Sequence, residues 1–275
     1  MFFVDSHCHL NLKKFSQVAG TSSVDYSVDA ILDRARSADV KYVLNIGTEL
    51  ADLDEMRSIS ESHDNVFHTI GIHPLEAQRH LQQYSLNDIS NILNGNCNSE
   101  KLVGIGEIGL DYHYTRESEQ EQKKIFELQM DIAQKHSFPV VIHSRDVAND
   151  TLDIIGNYSD VKGVMHCFGG DRDFAFRALD LGFYISFSGD ITFPKNIATR
   201  QEIVKIIPPD RLLVETDAPF LTPVPFRGKV NEPAFVVHTA KKISELLEMT
   251  EEKIAAITSK NFFDLFSPRC DTWTH

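Results

Sequence analysis

Residues 118–143, SEQEQKKIFELQMDIAQKHSFPVVIH, contain one complete helix–strand unit of the predicted fold. Its last apolar run, Val140-Val141-Ile142, is typical of a parallel strand that is buried on both faces. The segment before it begins with a Ser-x-x-Glu capping box, Ser118 and Glu121, which predicts a helix that continues to about His136. Apolar residues recur through this segment at helical spacing: Ile125, Leu128, Ile132 and Ala133.

Similar units occur along the whole chain. Thr250 can cap a last helix, because Glu251 and Glu252 then lie in its positively polarised first turn. Two further helices are predicted from apolar residues at helical spacing, an early one with Ile31, Leu32, Ala35 and Ala38 and a late one with Val236, Ala240, Ile243 and Leu247.

Eight short apolar runs predict eight strands. The alternation of strands and helices implies right-handed crossovers and a parallel sheet. Eight such units predict an α/β fold of the (β/α)₈ TIM barrel type, and a doubly wound open sheet is the alternative. The predicted strands span residues 2–5, 42–47, 66–71, 102–107, 140–143, 163–166, 183–187 and 212–215.

Length and composition agree with one soluble barrel. A chain of 275 residues is the usual size of a single α/β barrel, so we predict one domain over residues 1–275. The N-terminal apolar run is too short for a signal peptide, and no stretch approaches the ~18 apolar residues of a membrane helix. Cys8, Cys97, Cys167 and Cys270 form no Cys-x-x-Cys pair. We therefore predict reduced thiols and a cytoplasmic location.

The chain is acidic, with 27 Lys and Arg against 40 Asp and Glu and a net charge of −13. Such a surface repels phosphate backbones and anionic membranes. This charge argues against a broad nucleic-acid-binding surface, but it leaves room for a small, locally positive site.

Polar residues end several predicted strands. His7 and His9 are two residues apart at the end of the first strand, so both side chains point the same way. Since barrel active sites lie at the carboxyl ends of the strands, these residues should converge on one mouth. The mouth would collect four histidines and two carboxylates, a ligand set for one or two divalent metals: His7, His9, His143, His166, Glu107 and Asp217.

Each of these residues alone also has an ordinary structural explanation. A single histidine after a strand is more often a core or capping residue, and a single carboxylate can pair with an arginine or cap a turn. The joint pattern at the strand ends therefore carries the prediction. Beside it, His73 either contacts substrate, which we favour, or only forms a turn with Pro74, and Arg145 either holds an anion or pairs with Asp146.

These motifs resemble the TatD family of metal-dependent deoxyribonucleases, within the amidohydrolase superfamily. The resemblance covers nearly the whole chain, and its seven motifs stand in order, at residues 5–10, 71–74, 106–112, 143–146, 166–168, 215–219 and 227–233. The chain departs from the family pattern at Asn11, where Asp is common, and in the long loop after it, which is either a lid or a solvated insertion.

The resemblance implies a barrel with two divalent metal ions, Mg, Mn or Zn. By position, one ion would be held by His7, His9, Glu107 and Asp217, and the other by Glu107, His143 and His166, with Glu107 as the bridge. The implied partner is DNA, single-stranded or at 3′ ends, which is hydrolysed from a 3′ end.

Roles in catalysis follow from these positions. Asp217 can accept the proton of the attacking water, and Glu107 serves both ions. Arg145, Arg227 and Lys229 can hold phosphate oxygens. Unpaired bases could stack on Tyr112, Phe168 or Phe220, although packed loop residues are an equal alternative.

Two other functions remain open from the sequence. A metal-dependent amidase, lactonase or deacylase could use the same barrel, because a fold does not determine its substrate. An apolar acyl pocket instead of phosphate-binding arginines would distinguish it. A non-enzymatic binding protein is disfavoured, since all six metal-ligand candidates are present.

Overall fold

The computed structural model describes residues 1–11, 15, 24–114, 116–194 and 197–267. Its eight strands are all parallel and lie in chain order, β1 to β8, in one sheet that curves into a barrel. This confirms the predicted fold class and all eight strands. The strands are β1 Phe3–Cys8, β2 Val40–Asn45, β3 Val66–Ile70, β4 Leu102–Asp111, β5 Val140–Arg145, β6 Gly163–Met165, β7 Tyr184–Phe187 and β8 Leu212–Val214.

The first strand and the segment after the last strand close the barrel. The carboxylate of Asp5 accepts hydrogen bonds from the backbone N–H of Thr216 at 2.8 Å and from its hydroxyl at 2.6 Å. The N–H of Asp217 donates to the carbonyl of His7 at 2.9 Å. The loop after β8 therefore completes the pairing that β8 itself is too short to make.

Three strands continue beyond their predicted ends: β1 to Cys8, β4 to Asp111 and β5 to Arg145. Strand β4 continues beyond Glu107 because it stays paired with β5 as far as Asp111 opposite Arg145. The prediction ended β4 at Glu107 and β5 at His143, so it missed the pairing between Asp111 and Arg145. The extension brings Asp111 and Arg145 to the barrel mouth.

Helices surround the sheet. None of the helices within the described ranges is both long and apolar enough to cross a bilayer. The described helices are α1 Val28–Ser37, α2 Leu53–Ser62, α3 Ala77–Gln83, α4 Leu86–Gly95, α5 Glu119–His136, α6 Ala148–Gly156, α7 Arg172–Asp180, α8 Ile197–Ile206, α9 Val236–Leu247 and α10 Glu251–Phe266.

Two predicted helix starts have different outcomes. Thr250 caps α10 as predicted, and its side chain accepts a hydrogen bond from the Lys253 N–H at 3.2 Å. The prediction of a capping box at Ser118 is wrong, because the Ser118 side chain makes no capping hydrogen bond. Ser118 has φ −101° and ψ 19°, which is not the extended backbone of a capping residue. Its hydroxyl instead accepts a hydrogen bond from Gln122 Nε2 at 3.1 Å.

Apolar side chains fill the barrel and the layer between the sheet and the helices. Inside the barrel, Phe67 and Val141 are fully buried, and Phe262 from α10 packs against this cluster. Cys8, Cys97 and Cys167 are free thiols, and Cys270 lies outside the described residues. The core is therefore apolar and held without a disulfide between the described cysteines.

A buried histidine in β3 should make the stability of the fold sensitive to acid. His68 lies 2.7 Å from the Ser60 hydroxyl, and burial, aided by the charge of Arg57, lowers its pKa to about 4. The unfolded chain, with an ordinary histidine pKa of about 6.5, takes up a proton between these values while the folded protein does not. Stability should therefore fall as the pH decreases through this window.

We expect wild type to lose about 2 kcal/mol more stability than His68→Gln between pH 7 and pH 5. Urea unfolding of chelator-treated protein at the two pH values measures this difference. Equal losses in the two proteins would show that His68 does not titrate as described.

Candidate metal centre and active site

The carboxylate of Glu107 lies at the centre of the barrel mouth and is nearly inaccessible to solvent. Its Oε2 lies 3.6 Å from His7 Nε2 and 3.8 Å from His9 Nε2. Its Oε1 lies 2.9 Å from both His143 Nδ1 and His166 Nε2. Each oxygen of Glu107 therefore faces a different pair of histidines.

Asp217 completes the first group. Its Oδ1 lies 3.6 Å from the Nε2 atoms of both His7 and His9. Ligand atoms bound about 2.0–2.2 Å from one metal lie roughly 3.4 Å apart in a tetrahedral arrangement. The spacing between these atoms is therefore that of a metal's ligand shell and is longer than a hydrogen bond.

The tautomer of His9 suits a metal ligand. Its Nδ1 lies 3.0 Å from the carbonyl of Ile46, which can only accept a hydrogen bond. The proton of a neutral His9 therefore sits on Nδ1, and the Nε2 lone pair points towards Asp217 and Glu107.

His7 provides the test of whether these residues fit a metal. The ring is fully buried, and neither of its nitrogens has a hydrogen-bond partner among the described residues. Burial lowers the pKa of His7, so the ring is neutral and keeps a lone pair. An unpartnered buried nitrogen is costly, and a divalent cation beside Nε2 would give it a partner. The residues therefore fit a metal ion.

Two carboxylates stand behind the second pair of histidines. Asp111 Oδ2 lies 3.0 Å from His143 Nε2, and Glu215 Oε1 lies 3.2 Å from His166 Nδ1. Metal-binding histidines commonly donate their outer N–H to such a carboxylate, which orients the ring. In both rings the nitrogen facing Glu107 is therefore the one left to bind a metal.

The histidines and carboxylates at the centre shift one another's pKa values. Burial disfavours the charged form of His143, but hydrogen bonds to Asp111 and Glu107 outweigh it and raise the pKa. Burial also opposes the charge of Glu107, but in the metal-free protein the positive charge of His166 and hydrogen bonds from the histidines hold its pKa well below the usual range. Glu107 is therefore ionised at neutral pH.

Asp217 differs from Glu107. Burial raises its pKa to about 6, although His7 and His166 oppose this shift. Its backbone has φ 56°, in the left-handed region, and the preceding carbonyl, of Thr216, accepts a hydrogen bond from Asn231 Nδ2 at 2.8 Å. The carboxylate is thus held at the mouth with a higher proton affinity than an exposed aspartate has.

His73 joins the second group. Its Nε2 lies 3.5 Å from Glu107 Oε1, and its Nδ1 accepts a hydrogen bond from the Leu75 N–H at 3.2 Å. A neutral ring with this arrangement carries its proton on Nε2. His73 is therefore better suited to donate a hydrogen bond at the mouth than to bind a metal.

The two predicted phosphate-binding arginines lie at the rim. Arg145 is exposed and lies over the ring of Tyr114, with 5.3 Å between the guanidinium carbon and the ring centroid. The alternative pairing with Asp146 is not seen, because Asp146 instead contacts His113 Nδ1 at 2.7 Å. Arg227 is exposed and lies 3.7 Å from the centroid of Phe193.

Of the three aromatic residues considered for base stacking, two are buried. Tyr112 and Phe168 are only 7% and 3% exposed, so they pack in the protein and offer no free face. Phe220 is 43% exposed, and its ring lies 6.4 Å from that of His9. Among the loop residues after β1, Asn11 is buried, and residues 12–14 and 16–23 lie outside the described ones.

The structure brings all six predicted ligands together and adds two residues that the sequence interpretation missed. Asp111 lies in the motif at residues 106–112 and Glu215 in the motif at residues 215–219, but the sequence assigns neither of them a role. One signal was available for Glu215, because it precedes Asp217 by two residues at the same strand end. For Asp111 the extended pairing of β4 with β5 had to be known.

Comparison with known proteins identifies the family. The family model described as TatD related DNase matches residues 4–267, which confirms the resemblance seen in the motifs. The Escherichia coli K12 protein named metal-dependent hydrolase YcfH is 40% identical over 268 residues, covering 97% of this chain and 96% of that protein. Bacillus subtilis YabD, also named a metal-dependent hydrolase, is 38% identical over 264 residues, covering 95% and 98%.

A solved structure agrees with this result. The crystal structure of YJJV, a TatD homologue from Escherichia coli K12, matches with a TM-score of 0.85 at 26% identity, over 96% of this chain and 98% of that chain. Fold, motifs and relatives lead to one assignment: the chain belongs to the family of TatD related DNases.

Proposed function

We propose that this protein is a divalent-metal-dependent deoxyribonuclease that degrades DNA from a 3′ end with two metal ions, Mg, Mn or Zn. The position of Glu107 is the main support for this proposal. Its two oxygens face two separate histidine pairs, as a carboxylate that bridges two cations requires.

Each residue has a defined part in this proposal. His7, His9 and Asp217 would hold one ion, His143 and His166 would hold the other, and Glu107 would contribute to both. When bound, the two ions would lower the pKa of the attacking water and place positive charge opposite the phosphate oxygens. Asp111 and Glu215 keep the second pair of rings in orientation.

Asp217 is the proposed proton acceptor. Its Oδ1 lies 3.6 Å from the Nε2 atoms of both His7 and His9, so a water held by the first ion would lie within its reach. His73 would donate a hydrogen bond from Nε2 to substrate.

The rim arginines favour a phosphodiester over an amide or a lactone. Within the described residues, neither Arg145 nor Arg227 forms an ion pair with a carboxylate, so both are available to an anionic substrate. A neutral acyl substrate would gain nothing from two positive charges at the mouth. The DNase description of the family agrees with this choice.

The test of the proposal is the degradation of 3′-labelled single-stranded DNA. We expect cleavage that stops after exhaustive chelation and returns on addition of Mg²⁺, Mn²⁺ or Zn²⁺. Full activity in protein shown to be metal-free by elemental analysis would disprove metal dependence. Much faster cleavage of lactones or amides than of any DNA would disprove the nuclease assignment and leave the metal centre intact.

A second prediction concerns the bridge. Glu107→Ala removes a ligand from both ions, whereas His7→Ala removes a ligand from one. We expect Glu107→Ala to abolish turnover more completely and to lower the bound metal content further. Both variants should fold, as judged by far-UV circular dichroism. Comparable residual rates and metal contents in the two variants would contradict bridging.

A third prediction concerns the base. Asp217→Asn keeps the size and one oxygen ligand but removes the basic oxygen. General-base catalysis is typically worth about 10²–10⁴-fold, so kcat on DNA should fall at least about 10²-fold with folding intact. The matched control is Asp146→Asn, an exposed carboxylate of the same mouth, which should retain most of the wild-type rate. Near-normal cleavage by Asp217→Asn would exclude it as the base.

A further inference from the structure

The arginines at the mouth differ from most others in the chain. Arg145 and Arg227 form no ion pair within the described residues, and each lies over an aromatic ring. Arg57 and Arg172 are the other two described arginines without an ion pair, and Arg172 also lies over a ring, that of Phe176. Most of the described arginines pair with a carboxylate: Arg34, Arg36, Arg79, Arg116, Arg177, Arg200 and Arg211.

Tyr114, the partner of Arg145, is an unusually exposed aromatic residue. Its side chain is 70% exposed, the largest exposed fraction among the exposed large hydrophobic residues of the described chain. The ring of His113 contacts it edge-on, with 5.0 Å between centroids. The tyrosine ring thus contacts Arg145 and His113, while most of the side chain is left to solvent.

The backbone ties Tyr114 to the proposed metal centre. The His113 N–H donates to Asp111 Oδ1 at 2.9 Å, and the other oxygen of Asp111 lies 3.0 Å from His143 Nε2. The Tyr112 N–H donates to the carbonyl of Arg145 at 3.1 Å. Tyr114 and Arg145 are therefore placed together by the same strand ends that carry the histidine.

Exposed apolar side chains also follow other strands at the mouth. Phe220, beside His9, is 43% exposed, and Leu75, after His73, is 45% exposed. Apolar atoms and unpaired guanidinium groups together match a ligand that combines a flat ring with an anion. A nucleotide has this combination, because each base has a π-face and each phosphate a negative charge.

We propose that Tyr114 and Arg145 form a nucleobase subsite, in which a base beside the scissile phosphate stacks on Tyr114 while Arg145 binds a phosphate of the same strand. This proposal rests on the proposed function and specifies its substrate. A base can reach the ring only when it is unstacked from its neighbours. The subsite therefore selects single-stranded ends over duplex DNA, with little preference for base identity.

The experiment compares Tyr114→Ala and Tyr114→Phe with wild type on single-stranded oligonucleotides. In further oligonucleotides, one of the last four nucleotides is replaced by an abasic analogue. The binding free energy of a base stacked on an aromatic side chain is large enough that loss of the ring should raise KM about tenfold. We expect this rise in Tyr114→Ala, with kcat within about twofold of wild type. Tyr114→Phe, which keeps the ring, should behave like wild type.

The abasic substrates locate the contact. At one nucleotide position, the abasic analogue should raise the KM of wild type about tenfold, as the loss of the Tyr114 ring does. The same analogue should cause little further rise in the KM of Tyr114→Ala. The control is Tyr84→Ala, which removes a tyrosine that is 39% exposed at the end of α3 and should leave KM unchanged.

The experiment distinguishes failure of the proposed subsite from failure of the proposed nuclease function. If wild type degrades DNA but Tyr114→Ala keeps the wild-type KM, or if Tyr114→Phe loses as much as Tyr114→Ala, the subsite is wrong and the nuclease assignment stands. The subsite is also wrong if, at every position, the abasic analogue raises the KM of Tyr114→Ala by the same factor as it raises the KM of wild type. If wild type cleaves none of the oligonucleotides, both proposals are wrong.

Discussion

The buried carboxylate of Asp5 joins the first strand to the segment that follows the last one. Its two oxygens take both hydrogen bonds that Thr216 can donate. Asp5 stands two residues before His7, and Thr216 stands one residue before Asp217. The contact that closes the barrel therefore also sets the distance between these two side chains. Without it, buried donors would lose their partners, at a cost of about 1–3 kcal/mol each, and fold and site would be damaged together.

The mouth concentrates opposite charges away from water. Glu107, Asp217, Asp111 and Glu215 are all within reach of histidine nitrogens, and Glu107 remains ionised because the surrounding rings outweigh the cost of burial. Such a centre binds cations strongly only if its histidines give up their protons. The chain carries a net charge of −13, so under the proposed function the positive charge for a DNA strand would come from the metal centre and the rim arginines. An enzyme that contacts only the end of a strand needs few phosphate contacts, so the proposed activity would depend only modestly on salt.

The predicted capping box is wrong, and the packing of Tyr112, which the sequence left open, is decided by tertiary contacts. Ser118 and Glu121 have the right spacing for a capping box, but Ser118 does not adopt the extended backbone that capping requires. Tyr112 and Tyr114 stand two residues apart in one loop, yet the first is 7% exposed and the second 70%. Burial of a loop residue depends on distant elements that pack against it. For Tyr112 the contact is Asp150 of α6, which accepts a hydrogen bond from its hydroxyl at 3.1 Å.

The sequence by itself determined the alternation of strands and helices and the six residues at the strand ends, because the hydrophobic period and the polar residue after each apolar run are local properties. It predicted a barrel but kept the open sheet as an alternative, since closure depends on contacts between the two ends of the sheet. Only the tertiary structure decided which atoms face one another. It showed that Glu107 lies between two histidine pairs, that Asp111 and Glu215 stand behind the second pair, and that Tyr114 is the exposed ring. These relations join residues far apart in sequence, and their distances depend on how β4, β5 and the loop after β8 pair across the barrel.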